Sequence, residues 1–378
     1  FLTDPASLSF AFSMNRGTMI NGQRWKYAKT PQAKEKRMTV ANSNREFLDE
    51  TPTGTVRMSV LEATNLGERA LKQIGFSHED AHIILGQLID NALCGYPFTS
   101  LPRILAIAQD PKTKQPRKPV SITHETPASA LLDGGNNVGY VAVYKAAEVA
   151  IEKAKSNRFS IVGAYDSYYS GRNAYFVEKI VNAGFVTIHL ACGQPHVVPP
   201  GGARPAMGTN PICIGFPTAK NPVIVDMGTA ALQWGEVMLH AHIDSPLPEG
   251  VGVDQNGMPT RDAKEALLGG VLPFGGHKGY GLSMAVQAMG LLAGAAIPRG
   301  NVQDYGFLFI TFDPGLLIPA DQFAAQASEL IAAIKATPKQ AGVDEIRIPS
   351  ERSFRERDRR RQEGLVFEQK VVDALNAL

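Results

Sequence analysis

No apolar run in this sequence reaches the ~18 residues that span a bilayer, so no membrane-spanning helix is expected. "LSFAFSM" near the start is too short, and too polar in its flanks, to read as a signal peptide. The chain begins at Phe1 rather than Met, which leaves room for a missing or processed start. Cysteine is scarce: Cys94, Cys192 and Cys213 have no metal-ligand spacing. They read as reduced thiols of a cytoplasmic protein, not as a disulfide framework. No metal site is expected, because His240 and His242, two apart, would point to different faces of a helix. No Cys-His-Asp set has the spacing of a nucleophilic triad. Charge of one sign is not in excess either. The net charge of +2 calls for neither a nucleic acid nor a membrane surface.

What is present is an ordinary globular composition, 378 residues with 44% apolar, enough for two or three domains. Residues 1–54 carry scattered Lys and Arg with little apolar periodicity and read as an extension, either a solvated tail or an arm. Residues 55–125 read as the first part of a helical domain. There "SVLEATNLGERALKQIG" places Leu61, Leu66, Ala70 and Leu71 near one face, and Ser77 with Asp80 marks the next helix start. "PVSITHETPASALLDGGNNVG" is turn-rich and leads into an amphipathic helix, "YVAVYKAAEVAIEKAKSN". Strands follow within 126–318: "FSIVGAY", "FVTIHLAC", "PICIGFP", "PVIVDMG" and "YGFLFITFDP", all β-branched or aromatic and punctuated by Gly, Pro or Asn. Residues 319–378 read as C-terminal helices that complete the helical domain, the last one Arg-rich. The fold class is therefore mixed α/β around a central sheet, with helices at both chain ends.

"FGGHKGYGLSM", residues 274–284, combines glycines with His277 and Lys278. It fails as a triphosphate loop, which needs Ser or Thr after Gly-Lys, and as a dinucleotide fingerprint, which needs a preceding strand. What remains is anion physics: open backbone amides, a helix start and a lysine, or simply a glycine-rich helix entry. In "VIVDMGTAA", Asp226 ends a buried-type strand, where a carboxylate is either an N-cap or a site residue. The six arginines of residues 352–361 alternate with acids and read as a solvated face laced with ion pairs.

Five separated stretches occur together in one family: "NNVGYVAVYKAAEVAIEKAK", "VVPPGGARPAMGTNPICIGFP", "VIVDMGTAALQWGEV", "VDQNGMPTRDAKEAL" and "LPFGGHKGYGLSMAVQAMGLLAGA". In order, they resemble the type-2 malate/L-lactate dehydrogenases, a group that includes sulfolactate and ureidoglycolate dehydrogenases, diketogulonate reductase and the piperideine/pyrroline-2-carboxylate reductases. The resemblance implies a non-Rossmann, largely antiparallel central sheet with helices, a helical domain from both chain ends, and a homodimer using NADH or NADPH. It puts cofactor contacts at Ile224, Val225, Asp226, Met227 and Gly228, at His277 and Lys278, and at Ser350, Glu351 and Arg352. At the last of these the family usually has Pro-Gly-Glu, so a turn needing φ > 0 would be strained by Ser350.

The departures carry the functional expectation. The family's Ser-His-Gly motif, whose histidine donates the proton, is occupied here by "LCGYPFTSLPRI", with Tyr96 the nearest polar ring. The arginine and tyrosine that grip the substrate carboxylate fall at Ser100 and Ile104. A second site histidine falls at Tyr169 in "SYYSG". Reducing a ketone needs a proton on oxygen, which histidine suits. A protonated cyclic imine needs no strong acid in the hydride step, and Asp226 could stabilise its cation. The expectation is a NAD(P)-dependent oxidoreductase that reduces C=N or C=O in a small substrate, with Tyr96, Tyr169 and Asp226 as site residues. The alternatives are a 2-hydroxy-acid dehydrogenase and a cofactor-binding dimer with little catalysis. Nucleic-acid binding is not expected.

Overall fold

The computed structural model describes residues 53–297 and 305–378. Most of the 1–54 extension lies outside them. The chain's two ends meet in a short ribbon. Strand β1 (Thr55–Met58) pairs antiparallel with β12 (Leu365–Glu368), Thr55 opposite Glu368. Helices α1 (Val60–Gln73), α2 (His78–Leu93) and α3 (Pro102–Gln109) pack with α11 (Gln369–Asn376) around Leu66, Leu71, Ile84, Leu88 and Ile104. Helix α1 starts at a reciprocal cap: the Ser59 side chain accepts from the Glu62 amide, and Glu62 accepts from the Ser59 amide. Helix α2 starts at Ser77, whose Oγ accepts from the Asp80 amide at 3.0 Å. Leu61 is the exception to the expected apolar face. It is 68% exposed, because it sits more than a third of a turn from the Leu66–Ala70 stripe.

Seven strands form the main sheet in the order β2-β3-β4-β11-β5-β6-β7. They are β2 (Ser121–Thr126), β3 (Ser129–Val138), β4 (Phe159–Tyr168), β5 (Val186–Cys192), β6 (Ile212–Phe216), β7 (Val223–Met227) and β11 (Gly306–Phe312). Only β3–β4 is parallel, so this is not a Rossmann sheet. Alternation along β11 sends Phe307 and Phe309 to one face and Leu308 to the other. The first face is covered by α4 (Gly139–Asn157) and α5 (Asn173–Asn182), the second by α8 (His277–Leu292). A smaller unit, α6 (Trp234–His242), β8 (Gly252–Val253), β9 (Pro259–Thr260), α7 (Ala263–Leu268) and β10 (Gly270–Val271), closes around Val237, Leu247 and Ala266. Helices α9 (Ala320–Lys335) and α10 (Glu351–Glu363) lie between β11 and β12.

Three expectations are corrected. The turn-rich 119–139 segment is a β2–β3 hairpin, and the sheet begins at Ser121. Strand β2 is an edge strand with all six residues exposed, so it carries no alternation signal. The expected Asp133–Gly135 turn survives as a bulge, with Gly135 at φ +60°, where a Cβ would meet the Lys118 carbonyl at 2.5 Å. The Arg-rich helix is α10, followed by β12 and α11, so it is not the last. Its face is also not wholly solvated: Arg357 is only 11% exposed and pairs with Asp90 and Glu178.

Candidate active site

A cleft of about 1060 Å³ opens where the helical part meets the β5–β7 side of the sheet. Tyr96 and Arg103 enter it from the α2–α3 connection and the start of α3, and Tyr140 from the first turn of α4. Tyr169 and Arg172 come from the β4–α5 loop, His196 from the segment after β5, and Ile224–Gly228 from the end of β7. Ser350, Arg352 and Ser353 close it from the start of α10.

Asp226 is open to the cleft and surrounded by protein. Its Oδ2 accepts the Ala174 amide at 2.8 Å, so the carboxylate caps α5 from another strand rather than the helix that follows it. Burial pushes its carboxyl up; the Ala174 hydrogen bond and the Arg172 charge oppose that rise. Tyr96 Oη lies 3.0 Å from Ser353 Oγ. Two guanidinium carbons face its ring, Arg172 at 5.4 Å and Arg352 at 5.1 Å. Tyr169 sits at φ +48° with the Arg103 guanidinium 5.6 Å from its ring. Burial, and then the Asp110 carboxylate, push its hydroxyl up.

The cleft therefore unites Tyr96, Tyr169, Asp226, Ile224, Val225, Met227, Gly228, Ser350 and Arg352. It leaves out three expected residues. Glu351 turns to an ion pair with Lys335 and accepts the Ile348 amide at 3.2 Å. His277 and Lys278 stand exposed at the start of α8, outside the cleft lining. The glycines there serve the helix entry: a Cβ on Gly279 would meet the Phe274 carbonyl at 1.9 Å. Ser350 does take the strained conformation, φ +66°, and its hydroxyl donates to the Ile224 carbonyl at 2.8 Å.

Sequence reasoning passed over other cleft residues. His196 stacks on Trp234 with centroids 4.0 Å apart, and burial lowers its imidazole to about 4. Tyr140 and Tyr305 face the same space, Tyr140 pushed up to about 12 by burial. Ser100 and Ile104 do not: both are fully buried, and Ser100 donates to the Pro97 carbonyl at 2.6 Å. Three buried polar atoms of the cleft have no hydrogen-bond partner: Tyr140 Oη, Asn173 Nδ2 and Asn210 Oδ1. Such atoms are costly unless a ligand completes them. The family model for malate/L-lactate dehydrogenases matches residues 58–376.

The chain belongs to the malate/L-lactate dehydrogenase family. Among this dehydrogenase's relatives is malate/(S)-sulfolactate dehydrogenase of Methanothermus fervidus, 33% identical over 84% of this chain and 95% of that one. A Δ1-pyrroline-2-carboxylate reductase of Ancylobacter novellus is 31% identical over 85% and 97%. The solved sulfolactate dehydrogenase of Methanocaldococcus jannaschii superposes with a TM-score of 0.76 at 30% identity, covering 85% of this chain and 96% of that one. This enzyme is thus a dehydrogenase or reductase of a family whose members use nicotinamide cofactors. The cleft fits such a group: it is large enough and largely apolar, and its lining carries orphaned donors and an acceptor.

Proposed function

We propose that this dehydrogenase binds NADH or NADPH in the cleft and reduces a C=N or C=O bond of a small substrate such as a cyclic imine carboxylate or a 2-oxo acid. The observation that carries this reading is the set of Tyr96, Tyr169 and Asp226 around one cleft with unsatisfied buried polar atoms. When bound, the reduced nicotinamide supplies a hydride. Ile224–Gly228, Ser350 and Arg352 form the wall that would hold it, with Asn173 Nδ2 and Asn210 Oδ1 as partners for its polar groups. Tyr96, between two guanidiniums, supplies the hydrogen bond or proton at the reacting atom. Asp226 stabilises a cationic imine when ionised and donates a proton when not. Within this reading His196, an imidazole inside the cleft that burial keeps neutral, offers a hydrogen bond rather than a proton to a substrate oxygen.

A homodimer in the cytoplasm belongs to the same proposal. Its support is apolar surface: Leu292 is 71% and Leu317 is 89% exposed, with Met284, Leu291 and Leu330 also on the outside. No described helix is long and apolar enough to cross a membrane.

Titration of NADH and NADPH, followed by tryptophan fluorescence, tests the cofactor. Turnover on a panel of 2-oxo acids and cyclic imine carboxylates tests the reaction. Tyr96→Phe is expected to lower kcat about 100-fold without changing cofactor affinity. Absence of dinucleotide binding below millimolar overturns the reading, and binding with no turnover selects a non-catalytic relative.

A further inference from the structure

The cleft carries apolar surface that the protein itself does not cover. Among the described residues, three large exposed apolar side chains line it: Phe98, Met227 and Met238. Met227 belongs to the β7 end already placed in the cofactor wall. Phe98 and Met238 have no such role, yet they are 45% and 50% exposed. They reach the cleft from different parts of the fold. Phe98 sits in the short turn Pro97–Thr99 between α2 and α3, and Met238 on α6. Gly235 brings them together. A Cβ there would lie 3.3 Å from the Phe98 ring, so the ring rests on α6 where that helix has no side chain. Met238 is three residues further along the same helix face. The Arg103 guanidinium carbon, 5.6 Å from the ring, holds Phe98 from the α3 side. The ring is therefore fixed against the far wall rather than turned out to solvent. Tyr96, two residues before it, lines the same cleft.

We propose that Phe98 and Met238 form a subsite for an apolar side group of the substrate. The preferred substrate is then a 2-oxo acid or imine carboxylate with a branched or aromatic side group, not a short or polar one. The proposal rests on the reading of this cleft as the place of a small substrate. It adds which member of that class the cleft selects and which residues select it. A side group seated here takes its own surface, the ring and the thioether out of water, worth about fourfold in affinity per methylene. Methionine adapts to groups of different shape, and its sulfur accepts an aromatic edge. Pyruvate and oxaloacetate carry no apolar group large enough to cover this surface.

Calorimetric titration of pyruvate, 4-methyl-2-oxopentanoate and phenylpyruvate into the full-length enzyme reads the subsite, alone and with NAD+ or NADP+ present. NADH and NADPH are titrated in parallel. The wild type is expected to bind the two apolar acids at least about tenfold more tightly than pyruvate. Phe98→Ala is expected to cut that ratio about tenfold and Met238→Gln about threefold, while Phe98→Leu keeps most of it. Circular dichroism melts confirm folding, and Phe98→Leu and Met238→Gln carry the test should Phe98→Ala fail to fold. Pyruvate bound as tightly as the apolar acids, no binding of any of the three, or a ratio unchanged in Phe98→Ala and Met238→Gln overturns the subsite. An equal loss of NADH or NADPH affinity in Phe98→Ala also overturns it, since the ring would then cover the cofactor. Dissociation of a dimer on size exclusion with the ratio intact overturns it too, because a second copy would then cover this surface. Selective binding without turnover sinks the oxidoreductase reading alone, and turnover without selectivity sinks the subsite alone.

Discussion

The Asp226 carboxylate accepts the Ala174 amide at 2.8 Å, so one residue both faces the cleft and holds the start of α5. Burial raises its pKa above the unfolded value. The folded state therefore binds the proton more tightly than the unfolded state. Asp226 contributes most to stability at low pH, and that contribution is lost as pH rises from about 4 through the raised folded value. Asp226→Asn keeps an acceptor for Ala174 and cannot titrate. Denaturant melts at pH 4 to 7 are expected to show the variant gaining on the wild type as pH rises, while turnover collapses. A stability difference that does not change with pH refutes the linkage.

His196 runs the other way. Burial lowers its imidazole to about 4, so the folded state holds it neutral. Its contribution to stability is full above the unfolded value of about 6.5 and is lost as pH falls through that value toward 4. His189, stacked on Phe309 at 4.1 Å and lowered to about 3, adds in the same direction. Melts at pH 7 and pH 5 are expected to show a smaller loss in His196→Phe than in the wild type. An equal loss in both would clear His196 of the effect.

Ser350 sets strain against a hydrogen bond. Its φ of +66° costs a non-glycine residue about 1 kcal/mol, while its hydroxyl ties α10 to the Ile224 carbonyl at 2.8 Å, worth about 1 kcal/mol. Ser350→Gly relieves the first and loses the second, so its stability should lie within about 1 kcal/mol of the wild type. Ser350→Ala keeps the strain and loses the bond, and should fall below Ser350→Gly by about 1 kcal/mol. Chemical denaturation of both variants measures the order; the reverse order would mean the turn does not need a positive φ.

How far the sequence could be read follows the range of the interactions. The strands β4, β5, β6, β7 and β11 announce themselves because they are rich in β-branched and aromatic residues bounded by turn residues. The edge strand β2 does not, because nothing covers it. Tyr96, Tyr169 and Asp226 could be named through the resemblance, since each lies inside or beside a motif. Arg103, Tyr140 and His196 could not: they become neighbours of the site only when α3, α4 and the segment after β5 converge on one cleft. Arg103 lies within "LCGYPFTSLPRI", the stretch that departs from the family, and that is its one local hint. Glu351 and Ser350 are adjacent in sequence yet part ways, because the first turn of a helix fans its side chains apart.

The same limit explains Arg357, which reads in sequence as one of six surface arginines. Its two terminal nitrogens donate to Glu178 at 2.6 Å each and its Nε lies 2.9 Å from Asp90, with all three side chains 11–14% exposed. The trio pins α10 to α2 and α5, directly behind the Arg352 and Ser353 wall of the cleft. Removing the cation strands Glu178 in a low-dielectric setting and leaves Asp90 to Arg172 alone, so Arg357→Met should cost about 3 kcal/mol or more. Arg355, on the same helix, pairs with Glu345 where both are largely exposed, and Arg355→Met should cost less than about 1 kcal/mol. Guanidinium chloride melts of the two variants give the contrast. Similar small losses in both would mean that water reaches the Asp90–Glu178 pair after all. A large loss confined to Arg357→Met makes this helix a fixed wall, on which the position of Tyr96 against Ser353 depends.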